Sequence, residues 1–106
     1  MNKNELLDAC KVALNSRGQH YGKVLENHNR IAKIWSIILG SDITEEQVAL
    51  MMVGLKVARL IETPDHQDSI LDIAGYAAVM SECVEEKKTK TKTKDKQTEG
   101  YLWHKN

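Results

Sequence analysis

The sequence predicts an all-α fold, a single four-helix bundle, on the strength of three observations. The chain has 106 residues, which is enough for one hydrophobic core and too short for two. Its single Pro and six Gly provide few tight turns, whereas a strand-rich fold needs many. Apolar residues recur every three to four positions through most of the chain, which is the spacing of amphipathic helices.

Local signals set the bounds of the four predicted helices, at about residues 3–16, 23–39, 45–62 and 64–86. Gly18 and Gly40 are expected to end the first two helices, because glycine adopts the left-handed backbone that closes a helix. Thr44 and Gln47 have capping-box spacing, so the third helix begins between them. Pro64 suits the first position of the fourth helix. Residues 17–22 are predicted to form a Gly-bounded turn.

The third predicted helix is apolar almost all the way round. From Val48 to Ile61, only Gly54, Lys56 and Arg59 interrupt the apolar run. Such a helix is central in its fold, because each of its faces has to be covered. Since 106 residues cannot easily surround a central helix, we expect a homo-oligomer to complete the bundle.

The chain is predicted to divide into three parts. Residues 1–86 form the helical bundle domain. Residues 87–98 form a Lys/Thr-rich linker, because six Lys in the ten residues 87–96 cannot be buried. Residues 99–106 carry Tyr101, Leu102 and Trp103, which either fold back on the body or serve as a docking segment for a protein partner.

Charge and composition exclude several classes of protein. Residues 1–86 have a net charge of −5 and residues 87–106 a net charge of +5, so the folded part is acidic and unsuited to sequence-specific DNA binding. No apolar run approaches the ~20 residues of a membrane span, and no signal peptide is seen. Cys10 and Cys83 lack metal-site spacing and are expected to be buried thiols. We therefore expect a cytoplasmic protein.

Polar residues in apolar company identify the candidate site. Lys56 and Arg59 are three residues apart on one helix, and Asp68 and Asp72 are four apart on the next. Because a short turn makes these helices antiparallel neighbours, the two bases and two acids are expected to meet. The cluster is either a structural charge network or a site for a phosphate or a metal–phosphate. His66 lies at a helix N-terminus, where anions are favoured.

Four further pieces of sequence share a pattern with known proteins. They are Arg17-Gly18-x-x-Tyr21-Gly22, residues 43–52, Pro64-Asp65-His66-x-Asp68-Ser69 and Asp72-Ile-Ala-Gly-Tyr76. Together with Lys56-x-x-Arg59, they resemble a family of small bacteriophage proteins of unassigned function. The resemblance covers about residues 15–86.

That family is distantly similar to the all-α nucleoside triphosphate pyrophosphohydrolases of the MazG-like and dimeric dUTPase group. This resemblance implies an oligomeric helical bundle that holds Mg²⁺ with acidic residues of two helices. In this sequence, the later acidic motif corresponds to Asp68 and Asp72, and the earlier helix offers only Glu26. The expected binding residues for a phosphorylated ligand are Arg17, Tyr21, Gly22, Lys56, Arg59, His66 and Tyr76.

Three functions fit these residues, and the sequence leaves open whether the chain is an enzyme. The first is a phage accessory protein that binds a phosphorylated nucleotide-type ligand, with sequestration of a host defence signalling nucleotide as one use. The second is a Mg²⁺-dependent nucleoside triphosphate pyrophosphohydrolase. The third is a helical oligomer that binds a protein partner through Tyr101, Leu102 and Trp103.

Overall fold

The fold is known from a computed structural model, which describes residues 1–21 and 23–98 and the side chains of residues 1–19 and 23–89. The described residues form four helices, α1 (Lys3–Tyr21), α2 (Val24–Leu39), α3 (Glu45–Glu62) and α4 (Gln67–Thr98), and no strand. The predicted all-α fold is confirmed. None of these helices is long and apolar enough to span a bilayer over the described residues.

The ends of α2 and α3 follow the sequence signals. Gly40 closes α2 with a φ of 65°, and its N–H donates to the Ser36 carbonyl, as expected for a left-handed C-cap. Thr44 and Gln47 form the predicted capping box, in which each side chain accepts from the other residue's backbone N–H. These two caps fix the short connection between α2 and α3.

Two helices are longer than predicted. Helix α1 continues through Gly18 to Tyr21, so the turn expected over residues 17–22 is wrong for residues 17–21. Helix α4 starts at Gln67, after a turn at Pro64, and continues past Glu86 to Thr98. The expected linker over residues 87–98 is therefore helical, because lysine is a good helix former and Lys87 pairs with α3.

The four helices pack as two layers. Helix α4 packs most extensively on α3, while α2 lies mainly on α3 and α1 mainly on α4. Helices α1 and α2 form one layer and α3 and α4 the other. Because α1 and α2 touch each other least, their layer is open between them. The core lies between the layers, around Leu25, Ala49, Val79 and Cys83.

Helix α3 is not fully covered in a single chain. Of its 18 residues, Val48 and Ala49 alone are buried, while other large aliphatic side chains of the helix face outward. Both cysteines are free and buried, as expected from the sequence.

Candidate functional site

Asp72 is the centre of the candidate site. Its carboxylate lies 3.0 Å from Lys56 Nζ on α3 and 3.6 Å from the Arg17 guanidinium on α1. The Asp72 and Lys56 side chains are 14% and 17% exposed, whereas Arg17 is 44% exposed. The structure thus brings together three predicted site residues from three helices. Two cations share one anion, so this cluster carries an excess of one positive charge.

Arg17 lies near the end of α1, which continues through Gly18 to Tyr21. The last turn of α1 carries the guanidinium to 5.7 Å from the centre of the Tyr76 ring on α4, a cation–π distance. Tyr76 lies one turn beyond Asp72 on the same helix, so one stretch of α4 supplies both partners. Lys56 is the closer partner of Asp72. Arg17 therefore retains N–H donors for another anion.

A cleft of about 450 Å³ opens beside Arg17, at the place where α1 and α2 diverge. Its walls come from all four helices and are mainly apolar. The lining residues are Leu14, Arg17, Gly18, Val24, Asn27, His28, Ile31, Trp35, Val48, Met52, Tyr76 and Val79. Among the described residues of this lining, Arg17 is the one whose side chain carries a full charge at every physiological pH. The cleft therefore offers apolar surface with a cation at one end.

His28 and Asn27 supply the other polar groups of the cleft. His28 is buried, and its Nδ1 lies 3.1 Å from the Val24 carbonyl oxygen. Because a carbonyl can only accept, Nδ1 is the donor of this hydrogen bond, and Nε2 is left to contact a ligand. The half-buried Asn27 side chain offers both an amide donor and an acceptor. These groups can orient a polar ligand edge inside an apolar space.

Three predicted site residues lie elsewhere. Arg59 and Asp68 are exposed and do not line the cleft. Of the four charges expected to meet, Lys56 and Asp72 form an ion pair, whereas no ion pair joins Arg59 to Asp68 in the described part of the chain. His66 caps α4 instead, because its ring Nδ1 lies 2.7 Å from the Ser69 hydroxyl and 3.3 Å from the Ser69 backbone nitrogen.

The two carboxylates that were expected to bind magnesium, Asp68 and Asp72, have different surroundings. Asp72 is engaged by two cations, and Asp68 faces solvent. Among the described residues, no group of three or more His, Cys, Asp or Glu side chains could hold a metal ion. The donor set around Asp72 does not fit a Mg²⁺ ion, which prefers several oxygen ligands and repels the neighbouring ammonium group.

The remaining predicted residues lie outside the described part. The Tyr21 side chain and Gly22 are not described, and neither is the segment 99–106 with Tyr101, Leu102 and Trp103. Their assigned roles in ligand or partner binding stay predictions.

A second charged cluster lies at the opposite end of α3. Lys87 on α4 contacts both Glu45, at 2.8 Å, and Glu46, and the Asn29 amide donates to Glu45 at 2.7 Å. Burial raises the pKa of Glu45, but hydrogen bonds from Lys87 and Asn29 outweigh it and hold this pKa at about 2. Burial lowers the pKa of Lys87, and the two glutamates reverse this and raise it. One cation lies between two carboxylates, so this cluster has an excess of one negative charge, and its ion pairs join α4 to the start of α3.

Asn27, Trp35 and Met52 are cleft residues that the sequence did not single out. Each belongs to an apolar helical stripe or its edge, which reads as core. Only the packing of the helices distinguishes these three residues from core residues, because they line a cleft where α1 and α2 separate. His28 is buried at the cleft wall.

Comparison with known proteins finds relatives encoded by mycobacteriophages. The family model Domain of unknown function (DUF6378) matches residues 5–84. The Gene 55 protein of Mycobacterium phage L5 is 46% identical over 76 residues, which cover 71% of this chain and 49% of that protein. The Gene 55 protein of Mycobacterium phage D29 is 35% identical over 86 residues, which cover 81% of this chain and 57% of that protein. The chain thus spans about half the length of these relatives. No solved structure matches it.

Proposed function

We propose, on the premise that this chain belongs to the DUF6378 family, that it binds a phosphorylated nucleotide-type ligand in the cleft beside Arg17. The expected resemblance to small phage proteins of unassigned function is confirmed by this membership and by the two phage relatives. The binding function is inferred from the chemistry of the site.

The excess positive charge around Asp72 is the observation that carries the proposal. One carboxylate lies between two cations, and the more exposed cation, Arg17, lines an apolar cleft. An arginine guanidinium favours phosphate because it can donate two parallel hydrogen bonds to it. The ligand group expected at this end of the cleft is therefore an anion with several oxygens.

The rest of the cleft fits the other half of such a ligand. Trp35, Met52 and Tyr76 supply apolar and aromatic surface, on which a flat heterocycle can stack. A volume of about 450 Å³ lies within the range of small-molecule sites, roughly 300–1,000 Å³. Asn27 and His28 offer hydrogen-bonding groups for the edge of a base. A phosphate attached to a base matches each of these features.

The surroundings of the carboxylates favour a protein that binds its ligand without hydrolysing it. A hydrolase that activates water with Mg²⁺ needs several carboxylates free to ligate it, and Asp72 is engaged by two cations. Because the relatives are phage proteins, the use we propose is sequestration of a host signalling nucleotide. A MazG-like pyrophosphohydrolase is the alternative that the same experiment tests.

Binding can be followed through the tryptophan in the cleft. With Trp103→Phe as background, Trp35 fluorescence is titrated with mono-, tri- and cyclic nucleotides, with and without Mg²⁺. We expect one class to change the fluorescence saturably and to be recovered intact after denaturation. Arg17→Ala should weaken its binding about 10- to 100-fold, since a hydrogen bond to a charged group contributes about 1.5–3 kcal/mol.

Arg59→Ala is the matched control, because it removes an exposed arginine that does not line the cleft. Its affinity should equal that of the unsubstituted chain. Equal losses in both variants would show that charge alone attracts the nucleotide. Saturation by no member of the panel would refute nucleotide binding, and Mg²⁺-dependent release of pyrophosphate would establish the hydrolase.

A further inference from the structure

The end of the cleft at Arg17 offers one positive charge to a ligand. Arg17 lines the cleft, whereas Lys56 does not and lies 3.0 Å from the Asp72 carboxylate. Because Asp72 offsets one of the two cations, the three side chains together carry a charge of +1. An anion with a single negative charge brings them to neutrality. Among the described residues of the lining, no second lysine or arginine is present for a further negative charge.

The two helix ends beside the cleft do not supply that further charge. Gly18 lies in the last turn of α1, which is the negative end of the helix dipole. Val24 is the first residue of α2 and belongs to its positive end. There, however, the Glu86 carboxylate already accepts a hydrogen bond of 3.1 Å from the backbone N–H of Leu25. The positive end of α2 is therefore paired with an anion of the chain itself.

The surroundings of the cleft disfavour a polyphosphate. Residues 1–86 have a net charge of −5, and this charge repels a polyanion over a distance of about 8 Å at physiological ionic strength. Proteins commonly hold polyphosphates with Mg²⁺ and with several positively charged or N–H groups. The described residues contain no group of three or more His, Cys, Asp or Glu side chains that could hold such a metal ion. A ligand with one phosphate avoids both costs.

From these charges we infer that the ligand is a cyclic mononucleotide, which has one phosphodiester and a single negative charge. The inference rests on the proposed function and names the class of nucleotide that the same cleft takes. The Arg17 guanidinium donates to the two free oxygens of the phosphodiester, and the base lies against Trp35 and Tyr76 of the lining. A phosphate monoester carries about 1.5–2 negative charges at pH 7 and a triphosphate carries more, so both exceed the charge that the site offsets.

Fluorescence of Trp35 in the Trp103→Phe chain tests this inference. The titration compares four ligands that share one base, namely the nucleoside, its cyclic monophosphate, its monophosphate ester and its triphosphate, for each of the four RNA bases. For the preferred base, we expect the cyclic monophosphate to bind at least about tenfold more tightly than the triphosphate, because the extra charges of the triphosphate are unpaired. This ratio should fall as the salt concentration rises, since salt screens the repulsion.

Asn27→Lys should change the order of the affinities, because it adds a second cation at a half-buried position of the lining. The monophosphate ester should then bind at least as tightly as the cyclic monophosphate. Ile37→Lys is the matched control. It adds the same charge to α2 at a residue that is 82% exposed and does not line the cleft, so the cyclic monophosphate should remain the tightest ligand.

The results separate this inference from the proposed function. In the chain with Asn27 and Ile37 intact, a monophosphate ester or a triphosphate that binds as tightly as the cyclic monophosphate would overturn the inference and leave nucleotide binding in place. Saturation by none of the nucleotides, or equal affinity for the uncharged nucleoside, would refute the proposed function as well.

Discussion

Lys56 and Asp72 form an ion pair between α3 and α4, with 3.0 Å between Nζ and Oδ2, and both side chains are mostly buried. Asp72 takes part both in the packing of α3 on α4, through this pair, and in the proposed site, because it also contacts Arg17 at the cleft. Its residues belong to the two helices that pack most extensively. A change at Asp72 should therefore lower the stability of the fold without lowering its affinity for the ligand.

Asp72→Asn should destabilise the fold by about 1–3 kcal/mol, because it leaves the Lys56 ammonium mostly buried without a counter-charge. The same change removes the anion that competes for Arg17, so affinity for a phosphorylated ligand should be retained or rise. Urea unfolding and the Trp35 titration measure the two effects.

Asp68→Asn is the control for this prediction, since Asp68 is exposed one turn earlier on α4. Its stability should change by less than about 1 kcal/mol, the range of a charge at a helix N-terminus. If Asp72→Asn instead abolished binding in a folded protein, Asp72 would have to contact the ligand or its metal directly.

The core between the layers should be most sensitive at Leu25. Leu25 is 6% exposed and packs with Ala49, Val79 and Cys83, so Leu25→Ala should cost about 2–5 kcal/mol. Leu39→Ala removes the same atoms from a side chain that is 56% exposed on the same helix, and should cost much less. Urea unfolding of both variants gives the comparison, and equal losses would mean that Leu39 is also covered in solution.

The sequence was sufficient to predict the helices wherever the local signal is strong. The caps at Gly40 and Thr44 gave the connection between α2 and α3, because each satisfies backbone groups within a few residues. Gly18 was misleading for the opposite reason. A glycine ends a helix only if the backbone turns left-handed there. At Gly18 the helix continues instead, and the contacts of the preceding Arg17 with Asp72 and Tyr76 lie across the bundle, where no local signal indicates them.

The candidate site could be predicted only in part for the same physical reason. Helical spacing places Lys56 and Arg59 on neighbouring parts of one face, but it does not say which of them meets Asp72. The cleft results from the divergence of α1 and α2, which no local pattern encodes. The continuation of α4 past Glu86 likewise depends on a long-range pair, that of Lys87 with α3.

The thiol of Cys83 should be inert in the folded protein. Burial, followed by the nearby charges of Glu46, Glu86 and Glu45, raises its pKa to about 11. Relative to its ordinary pKa of 9.0, this lowers the thiolate fraction at pH 8 about 100-fold, and the thiolate is the reactive form. Its reaction with a disulfide reagent at pH 8 should therefore be at least about 100-fold slower than in denaturant.

Cys10→Ala isolates the signal of Cys83 in that measurement, and Cys83→Ala isolates that of Cys10. Prompt reaction of Cys83 in the folded chain would mean that the junction of α4 with α2 and α3 opens readily.

The cluster of Glu45 and Lys87 should make the fold sensitive to acid. The folded pKa of Glu45, about 2, is below its ordinary 4.5, so its ionised form is stabilised by folding. This stabilisation is fully present above pH 4.5 and is lost as the pH falls towards 2. We expect the free energy of unfolding to drop by about 2 kcal/mol over this window from this group, after allowance for solvent screening at Lys87.

Glu45→Gln should remove that part of the pH dependence. Glu26→Gln should leave it in place, because Glu26 is an exposed residue that lines a surface pocket together with Glu45 and Lys87. Urea unfolding at pH 5 and pH 2.5 measures the difference for all three chains. A profile of Glu45→Gln that matches the unsubstituted chain would assign the acid sensitivity to other carboxylates.

Because Lys87 also holds α4 against α3, the Glu45→Gln variant should loosen the helix beyond Glu86, and faster amide hydrogen exchange there would report it.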